Sequence, residues 1–397
     1  MKTETYIVEY KRTPIGKFGG SLSSFRPDDL AAKVIRSVLD NQPKMDEYLI
    51  DDIILGCANQ AGEDNRNIAR FASLLAGLPV TVPGVTVNRL CASGMQAITD
   101  AYSRIHSGIA DVIIAGGVES MSRAPYVMAK SNKPFDRSLE IFDTTLGWRF
   151  INPAFNKTYK TLSMGETAEN ISKKWNISRD AQDEFSYNSH VKYINAYNDG
   201  KYKNELINIF ENVESNLIDE NPRKDTSLQK LANLKTVFLS NGTVTAGNSS
   251  GLNDGAAAMM ITSSSAVAKY NLKPIAKIIS ASVVGVDPDF MGIGPIPAII
   301  KLLKQVNLSI DDIDLFEINE AYAVQVLHCI NELKIDSSKV NINGGAVAIG
   351  HPLGCSGTRI VGHLALELQR SKKRFGIASM CVGVGQGTAI LIENINL

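Results

Sequence analysis

The 397-residue chain has no excess charge of either sign: 41 basic residues balance 41 acidic ones. That balance removes the electrostatic argument for a nucleic-acid or anionic-membrane partner. No window holds eighteen uninterrupted apolar residues, so the sequence predicts no transmembrane span. The opening MKTETYIVEYKRTPIG lacks a signal-peptide core and an Arg/Ser-rich transit pattern, and the closing ENINL is not a peroxisomal tripeptide. A cytoplasmic protein is the expectation. Cysteine is scarce: five residues, with no Cys-x-x-Cys, suggest neither a disulfide framework nor a zinc site. His328 and Cys329 are adjacent, a poor geometry for one metal, and read as partly buried helix residues.

What is present is a repeat. Strand-like and helix-like segments alternate at both ends of the chain, which predicts an α/β fold. IDDIILGCAN at 50–59 matches IDDIDLFEIN at 310–319, an offset of 260 positions that carries Cys91 onto His351. Each of these is preceded by a short alternating stretch, VTVN or VNIN, read as a strand. IIAGGV at 113–118 parallels IASMCV at 377–382, and GLNDGAAAMMI from Gly251 parallels GVGQGTAILI from Gly383. In the second copy the last two matches are contiguous. In the first, roughly 130 residues intervene between Val118 and Gly251, the size of a small domain. The expected organisation is one half from 1–120 plus 251–272, an inserted domain at 121–250 with an amphipathic helix near Ser178–Asn198, and a second half at 273–397. Equivalent loops of two packed copies would meet, bringing Cys91, His351, Asn319 and Cys381 together.

Those residues suit one chemistry. Cys91 precedes a helix whose Met95, Ile98, Tyr102 and Ile105 share a face. The helix dipole is expected to lower the thiol pKa, and free backbone N–H groups nearby could hold an oxyanion. His351 lies in the glycine-rich NGGAVAIGHPLGCSG and could deprotonate a thiol; Cys355, four residues on, reads as packing. Cys381, in SMCVGVGQG, is a second thiol that could act as acid or base, and Asn319 in EINEAYA could fix a water or donate to an oxyanion. Two thiols, an imidazole and a carboxamide suit carbon–carbon chemistry next to a thioester, with an acyl group carried on sulfur.

NRLCASGMQA, VIIAGGVESMS, TVTAGNSSGLNDGAAA, NEAYA, GGAVAIGHPLGCSG and CVGVGQG together resemble the thiolase family over essentially the whole chain. The resemblance implies a duplicated five-layered αβαβα fold with an inserted loop domain. It implies Cys91 as nucleophile, His351 as its activator and a donor to the enolate, and Cys381 as acid/base at the α-carbon. It implies Asn319 as holder of a water, and the N–H groups of Cys91 and Gly383 as the second oxyanion hole. Ser250 and Arg223 match positions that contact coenzyme A, and Met164 and Met291 match the acyl pocket. Coenzyme A enters as substrate, no permanent cofactor is implied, and members form dimers or dimers of dimers. Short-chain biosynthetic members carry His where this chain has Ser163 and Phe where it has Tyr322; both positions border the acyl or pantetheine pocket. GCANQAGEDNRNIAR and DTTLGWRFINP resemble 3-oxoadipyl-CoA thiolases, whose substrate carboxylate would call for a cation, with Arg149 and Arg123 as candidates. The expected activity is degradative cleavage of a 3-oxoacyl-CoA. The alternative is an acetyl-CoA acetyltransferase, and the remoter ones are a 3-oxoacyl synthase of the same fold and a non-catalytic CoA-binding protein.

Overall fold

The computed structural model describes residues 3–210 and 217–397. Among them twelve strands run in chain order: β1 Thr5–Arg12, β2 Gly16–Lys17, β3 Asp52–Gly56, β4 Gly84–Val87, β5 Val112–Ser120, β6 Tyr126–Met128, β7 Ile141–Asp143, β8 Asn253–Ser263, β9 Ala276–Gly285, β10 Leu315–Ile318, β11 Phe375–Val382 and β12 Gln386–Glu393. The main sheet reads β4-β3-β5-β8-β1-β9-β12-β11-β10. From the β1/β9 junction outward the order is nearly mirrored: β8 answers β12, β5 answers β11, and β3 answers β10. The outer pairs β3/β5 and β10/β11 are parallel and the inner ones antiparallel. In the sheet, three ladder pairs among the described residues join the halves, Thr5 to Ile278, Tyr6 to Lys277 and Ile7 to Ala276.

The copies differ at one edge. VTVN ends the strand β4, whereas VNIN makes only an isolated bridge from Val340 to Phe316. Asn341 explains why. It sits at φ 44°, and its side chain caps β10 by accepting from the Ile318 N–H and donating to the Ile318 carbonyl. A side chain thus replaces a ladder that a strand would have made.

Helices Ser93–His106 and Leu353–Ser371 lie between the two half-sheets. Pro27–Asp40 and Ile68–Leu75 cover one outer face, and Pro295–Val306 and Ala323–Leu333 the other. Strands β5 and β8 are buried along their whole length, which is why they read as apolar runs rather than alternating ones. The inner helices approach to backbone contact. A Cβ on Gly94 would lie 2.5 Å from the Gly354 carbonyl oxygen, and one on Gly357 would lie 2.3 Å from the Met95 nitrogen. Only glycine permits that crossing, and it brings both helix N-termini, and so Cys91 and His351, to one place.

Between β5 and β8 lie residues 121–252, including the helix Arg179–Asn198, capped by the Ser178 hydroxyl. This helix was expected to be amphipathic. Its buried face is instead largely polar: Gln182, Asp183, Ser186, Ser189 and His190. These side chains are held by hydrogen bonds rather than apolar contact, with Gln182 Oε1 left without a partner among the described residues; Ser189 Oγ, for example, donates to Glu320 at 2.7 Å. The segment is also pinned to both halves by a buried ion network. Arg12 on β1 makes two bonds to Asp219, at 2.7 and 3.0 Å, and one to Glu205 at 2.6 Å; Glu205 also meets His363 at 2.8 Å. Burial opposes ionisation of Glu205, but Arg12 and His363 hold it down at about 2. His328 and Cys329, expected to be partly buried, are fully enclosed on Ala323–Leu333.

Candidate active site

Cys91 sits in the 3-10 turn Leu90–Ala92 that leads into Ser93–His106. The turn is strained. Leu90 has φ 47°, a cost that functional sites often carry, and is held by its N–H bond to Asn88 Oδ1 at 2.8 Å. Ser93 Oγ donates to the Leu90 carbonyl at 2.6 Å and accepts from the Arg89 N–H at 2.9 Å. The thiol was expected to be acidified by the helix dipole; burial instead raises its pKa. The backbone N–H groups of Gly383 and of Cys91 itself pull it partly back, and Glu119 adds to the rise. Loss of water outweighs a dipole already partly spent within the turn. Cys91 is therefore a neutral thiol at rest, under two N–H groups.

His351 is buried, and its backbone is fixed from the other half: its N–H donates to Asn253 Oδ1 at 2.8 Å. Gly350, at φ 114°, leaves room for Asn253, since a Cβ there would lie 2.6 Å from the Asn253 side chain. The imidazole Nδ1 lies 2.6 Å from Ser356 Oγ, and Ser356 Oγ donates to the Pro352 carbonyl at 2.9 Å. With its hydrogen committed, Ser356 can only accept, so Nδ1 carries the proton and Nε2 keeps its lone pair. Asn319 Nδ2 lies 3.4 Å from that Nε2, while Asn319 Oδ1 is buried with no partner among the described residues. Burial, aided by Arg359, lowers the His351 pKa to about 3.

Cys381 ends β11. Its pKa is raised well above the ordinary thiol range by burial, with Cys91 and Cys329 adding to it. The Asn319 N–H donates to the Ser379 carbonyl at 3.0 Å, which ties the Asn319 loop to the Cys381 strand. Glu119 binds the rest: its carboxylate accepts from the N–H groups of Ala58, Asn59 and Gly354 at 3.0, 3.0 and 2.8 Å, linking the halves beneath Cys91 and His351. Burial lifts its pKa to about 7. Four loops, one from the first copy and three from the second, thus converge.

The other expected residues divide. Met164, Met291 and Tyr322 pack with Phe238 and Cys381 in one apolar cluster, and Met164 also lies beside Gly383. Ser250 is held to the Ala321 carbonyl by its N–H at 3.0 Å and its hydroxyl at 3.2 Å. Arg223 lines a cavity of about 230 Å³ with His190, Asn221, Leu234 and Ser249. Ser163 is not free for a ligand: it closes a capping box with Glu166, donating to its carboxylate at 2.8 Å. Arg123 is consumed by an ion pair with Glu63 at 2.5 Å. Arg149 is half-buried and pairs with nothing among the described residues, on a loop that Trp148 Nε1 ties to the Leu162 carbonyl at 2.9 Å. Ser356, Asn253 and Glu119 were missed by sequence reasoning. Each lies inside a motif already singled out, but nothing in composition separates an orienting side chain from a packing one.

Two family models cover the chain: "Thiolase, N-terminal domain" over residues 5–265 and "Thiolase, C-terminal domain" over residues 272–394. A Pseudomonas aeruginosa protein named beta-ketoadipyl-CoA thiolase is 50% identical, covering 100% of both chains. An Escherichia coli 3-oxoadipyl-CoA/3-oxo-5,6-dehydrosuberyl-CoA thiolase is 48% identical over 99% of this chain and 100% of that one. Among solved structures, human mitochondrial 3-ketoacyl-CoA thiolase in complex with CoA superposes with TM-score 0.92 at 38% identity, over 99% and 98% of the two chains.

Proposed function

Because the chain belongs to the thiolase family, we propose that its four loops perform the CoA-dependent cleavage of a 3-oxoacyl-CoA that ends in a second carboxylate, as in 3-oxoadipyl-CoA. The observation that carries the mechanism is the pair of thiols, Cys91 under the Gly383 N–H and Cys381 beside it, with a neutral imidazole whose Nε2 keeps its lone pair and faces Asn319 Nδ2.

As the Cys91 sulfur adds to the 3-keto carbon, its proton passes to His351 Nε2. The C2–C3 bond breaks and its electron pair becomes the enolate of acetyl-CoA. The new imidazolium Nε2–H and a water on Asn319 Oδ1 face the enolate oxygen. Cys381 gives its proton to C2, and acetyl-CoA leaves. The Cys381 thiolate then takes the proton of an incoming CoA thiol, whose sulfur attacks acyl-Cys91. The tetrahedral oxyanion accepts from the N–H groups of Cys91 and Gly383. The Cys91 sulfur departs and recovers its proton from His351. The elevated thiol pKa values fit this cycle, because each sulfur is a proton donor at rest and becomes a base or nucleophile only with a partner in place.

Arg223 and Ser250 bind the CoA arm in this reading, Met164 and Met291 line the acyl group, and Arg149, without a partner among the described residues, is a cation that could meet a substrate carboxylate. The chain works as a dimer or dimer of dimers; β4, at the end of the sheet with Val85 exposed, is an edge a second copy could cover. Light scattering of the purified protein reads that directly.

The deciding experiment incubates the protein with acetyl-CoA, removes free ligand, and maps the modified peptide. An acetyl group on the Cys91 peptide, discharged by added CoA, is expected. A protein that binds CoA yet stays unmodified would mean a non-catalytic CoA-binding protein. Comparing 3-oxoadipyl-CoA with acetoacetyl-CoA then settles the substrate: a higher kcat/KM on acetoacetyl-CoA would overturn the dicarboxylic assignment.

A further inference from the structure

Four tyrosines are buried, at 1% exposure for Tyr10, Tyr193 and Tyr202 and 8% for Tyr322. Three have a hydrogen-bond partner for the hydroxyl. Tyr10 donates to the Arg359 carbonyl at 3.3 Å, Tyr202 donates to the Asn343 carbonyl at 2.6 Å, and Tyr193 accepts from the Asp219 N–H at 3.3 Å. The Tyr322 hydroxyl has none among the described residues. Its position is nonetheless fixed. The residue caps the helix Ala323–Leu333 in extended conformation, bridges Ser249 through its backbone, and turns its ring edge-on to Phe238 at 6.4 Å. Burial, with Cys381 and Cys91 close by, raises its pKa, so the hydroxyl keeps its hydrogen at neutral pH. A well-held donor beside the apolar cluster of Met164 and Met291, near both thiols and with no protein partner among the described residues, is not closed off and can donate to a group that enters.

We propose that the Tyr322 hydroxyl is a specificity-determining donor that reads a carboxylate at the far end of the acyl group carried by Cys91. The proposal rests on the acyl-cysteine reading of the site given above. Discrimination follows from both sides. A chain ending in a carboxylate supplies the missing acceptor, and a bond to a charged acceptor is among the stronger ones. A plain aliphatic chain of the same carbon number leaves the phenol buried and unpaired, the situation in which polar sites reject apolar analogues most strongly. A succinyl group suits the reach, with its carboxylate two methylenes beyond the thioester carbonyl.

The test compares the full-length protein with its Tyr322→Phe variant on 3-oxoadipyl-CoA and 3-oxohexanoyl-CoA, which share a six-carbon chain and differ in the terminal carboxylate. The ratio of their kcat/KM values is expected to fall about tenfold or more in the variant. An unchanged ratio, including an equal loss on both substrates, overturns the proposal, because a packing role would move both alike. A measurement on the unmodified protein stands beside it should the variant fail to fold: acylation of Cys91 by succinyl-CoA is expected to exceed that by butyryl-CoA about tenfold, and equal rates overturn the proposal. The acetylation of Cys91 by acetyl-CoA separates the two failures. If Cys91 is never acetylated, the thiolase reading falls and takes this one with it. If it is acetylated and the ratios do not move, only the role of Tyr322 falls.

Discussion

The loop after β3 carries Asn59, and the loop after β10 carries Asn319, 260 positions later in the matching segment. Asn59 is fully employed. Its Nδ2 donates to Thr144 Oγ1 at 2.9 Å and to the Thr144 carbonyl at 3.3 Å, and its Oδ1 accepts from the Ala61 N–H at 3.3 Å. Asn319, more deeply buried, leaves Oδ1 without a partner among the described residues and turns Nδ2 toward His351. The same division recurs at the helix starts. Cys91 stands just before one inner helix and His351 just before the other, the proposed nucleophile and its proposed base at equivalent positions. Duplication supplied two similar loop ends that the packing of the halves forces together. Divergence then set one asparagine to holding the scaffold and left the other open to chemistry. The insertion explains which: residues 121–252 follow β5, so Thr144 is present to occupy Asn59, while β11 turns into β12 through Gly383, Val384 and Gly385 with nothing to spare for Asn319.

The comparison is broken most severely at the two equivalent helix starts. Cys91→Ser is expected to lower turnover on the order of 10⁴-fold or more, since a hydroxyl is far harder to ionise than a thiol beside so weak a base as His351. Near-normal turnover would remove Cys91 as nucleophile and leave the two halves functionally undivided. Replacing the two asparagines sharpens the contrast. Asn319→Ala is expected to lower kcat about 10²-fold, as loss of an oxyanion contact does, with little change in melting temperature. Asn59→Ala is expected to cost about 1–2 kcal/mol of stability, measured by urea unfolding, with turnover per folded molecule retained. If both variants lose activity alike, the asparagines are not divided as the hydrogen bonds indicate.

Much of this was legible because duplication leaves its mark in sequence order. The offset that carries Cys91 to His351 also carries β3 to β10 and Gly94 to Gly354, so aligning the copies already placed the four loops side by side. VNIN was not legible as a turn, because only the three-dimensional position of Asn341 decides that its side chain replaces the ladder. Nor was the polar buried face of Arg179–Asn198, since a sequence does not state which serines and glutamines will find partners. The acidity of Cys91 failed for a related reason. The dipole belongs to a short local segment, but the burial that overrides it is set by elements hundreds of residues away. Arg123 and Arg149 look alike in sequence; the Glu63 carboxylate and the Ser23 carbonyl, both bonded to Arg123, separate them.

The last expected effect is on stability against pH, and it divides the two members of the central pair. His351 titrates at about 3 in the folded protein, below its ordinary value of 6.5. Between those values the unfolded chain binds a proton that the folded one refuses. The stability that His351 contributes is therefore present above pH 6.5 and lost as pH falls toward 3, at no more than about 1.4 kcal/mol per pH unit. Cys91 has the opposite sign. Its raised pKa means that above its ordinary value of 9.0 the unfolded chain releases a proton that the folded one keeps, so its contribution is lost as pH rises. Glu119 and Glu317, both raised to about 7, impose a slope of their own near neutrality. The measurement must therefore be a difference. Urea unfolding of the unaltered chain and of His351→Asn, from pH 7 to 4, cancels every group the two share. The stability of the unaltered chain is expected to fall relative to the variant as the pH drops, while Cys91→Ser tracks the unaltered chain in acid and gains on it only above pH 9. Parallel acid curves for the His351→Asn pair would mean that the folded imidazole takes up its proton as the unfolded one does, and would overturn the lowered pKa of His351.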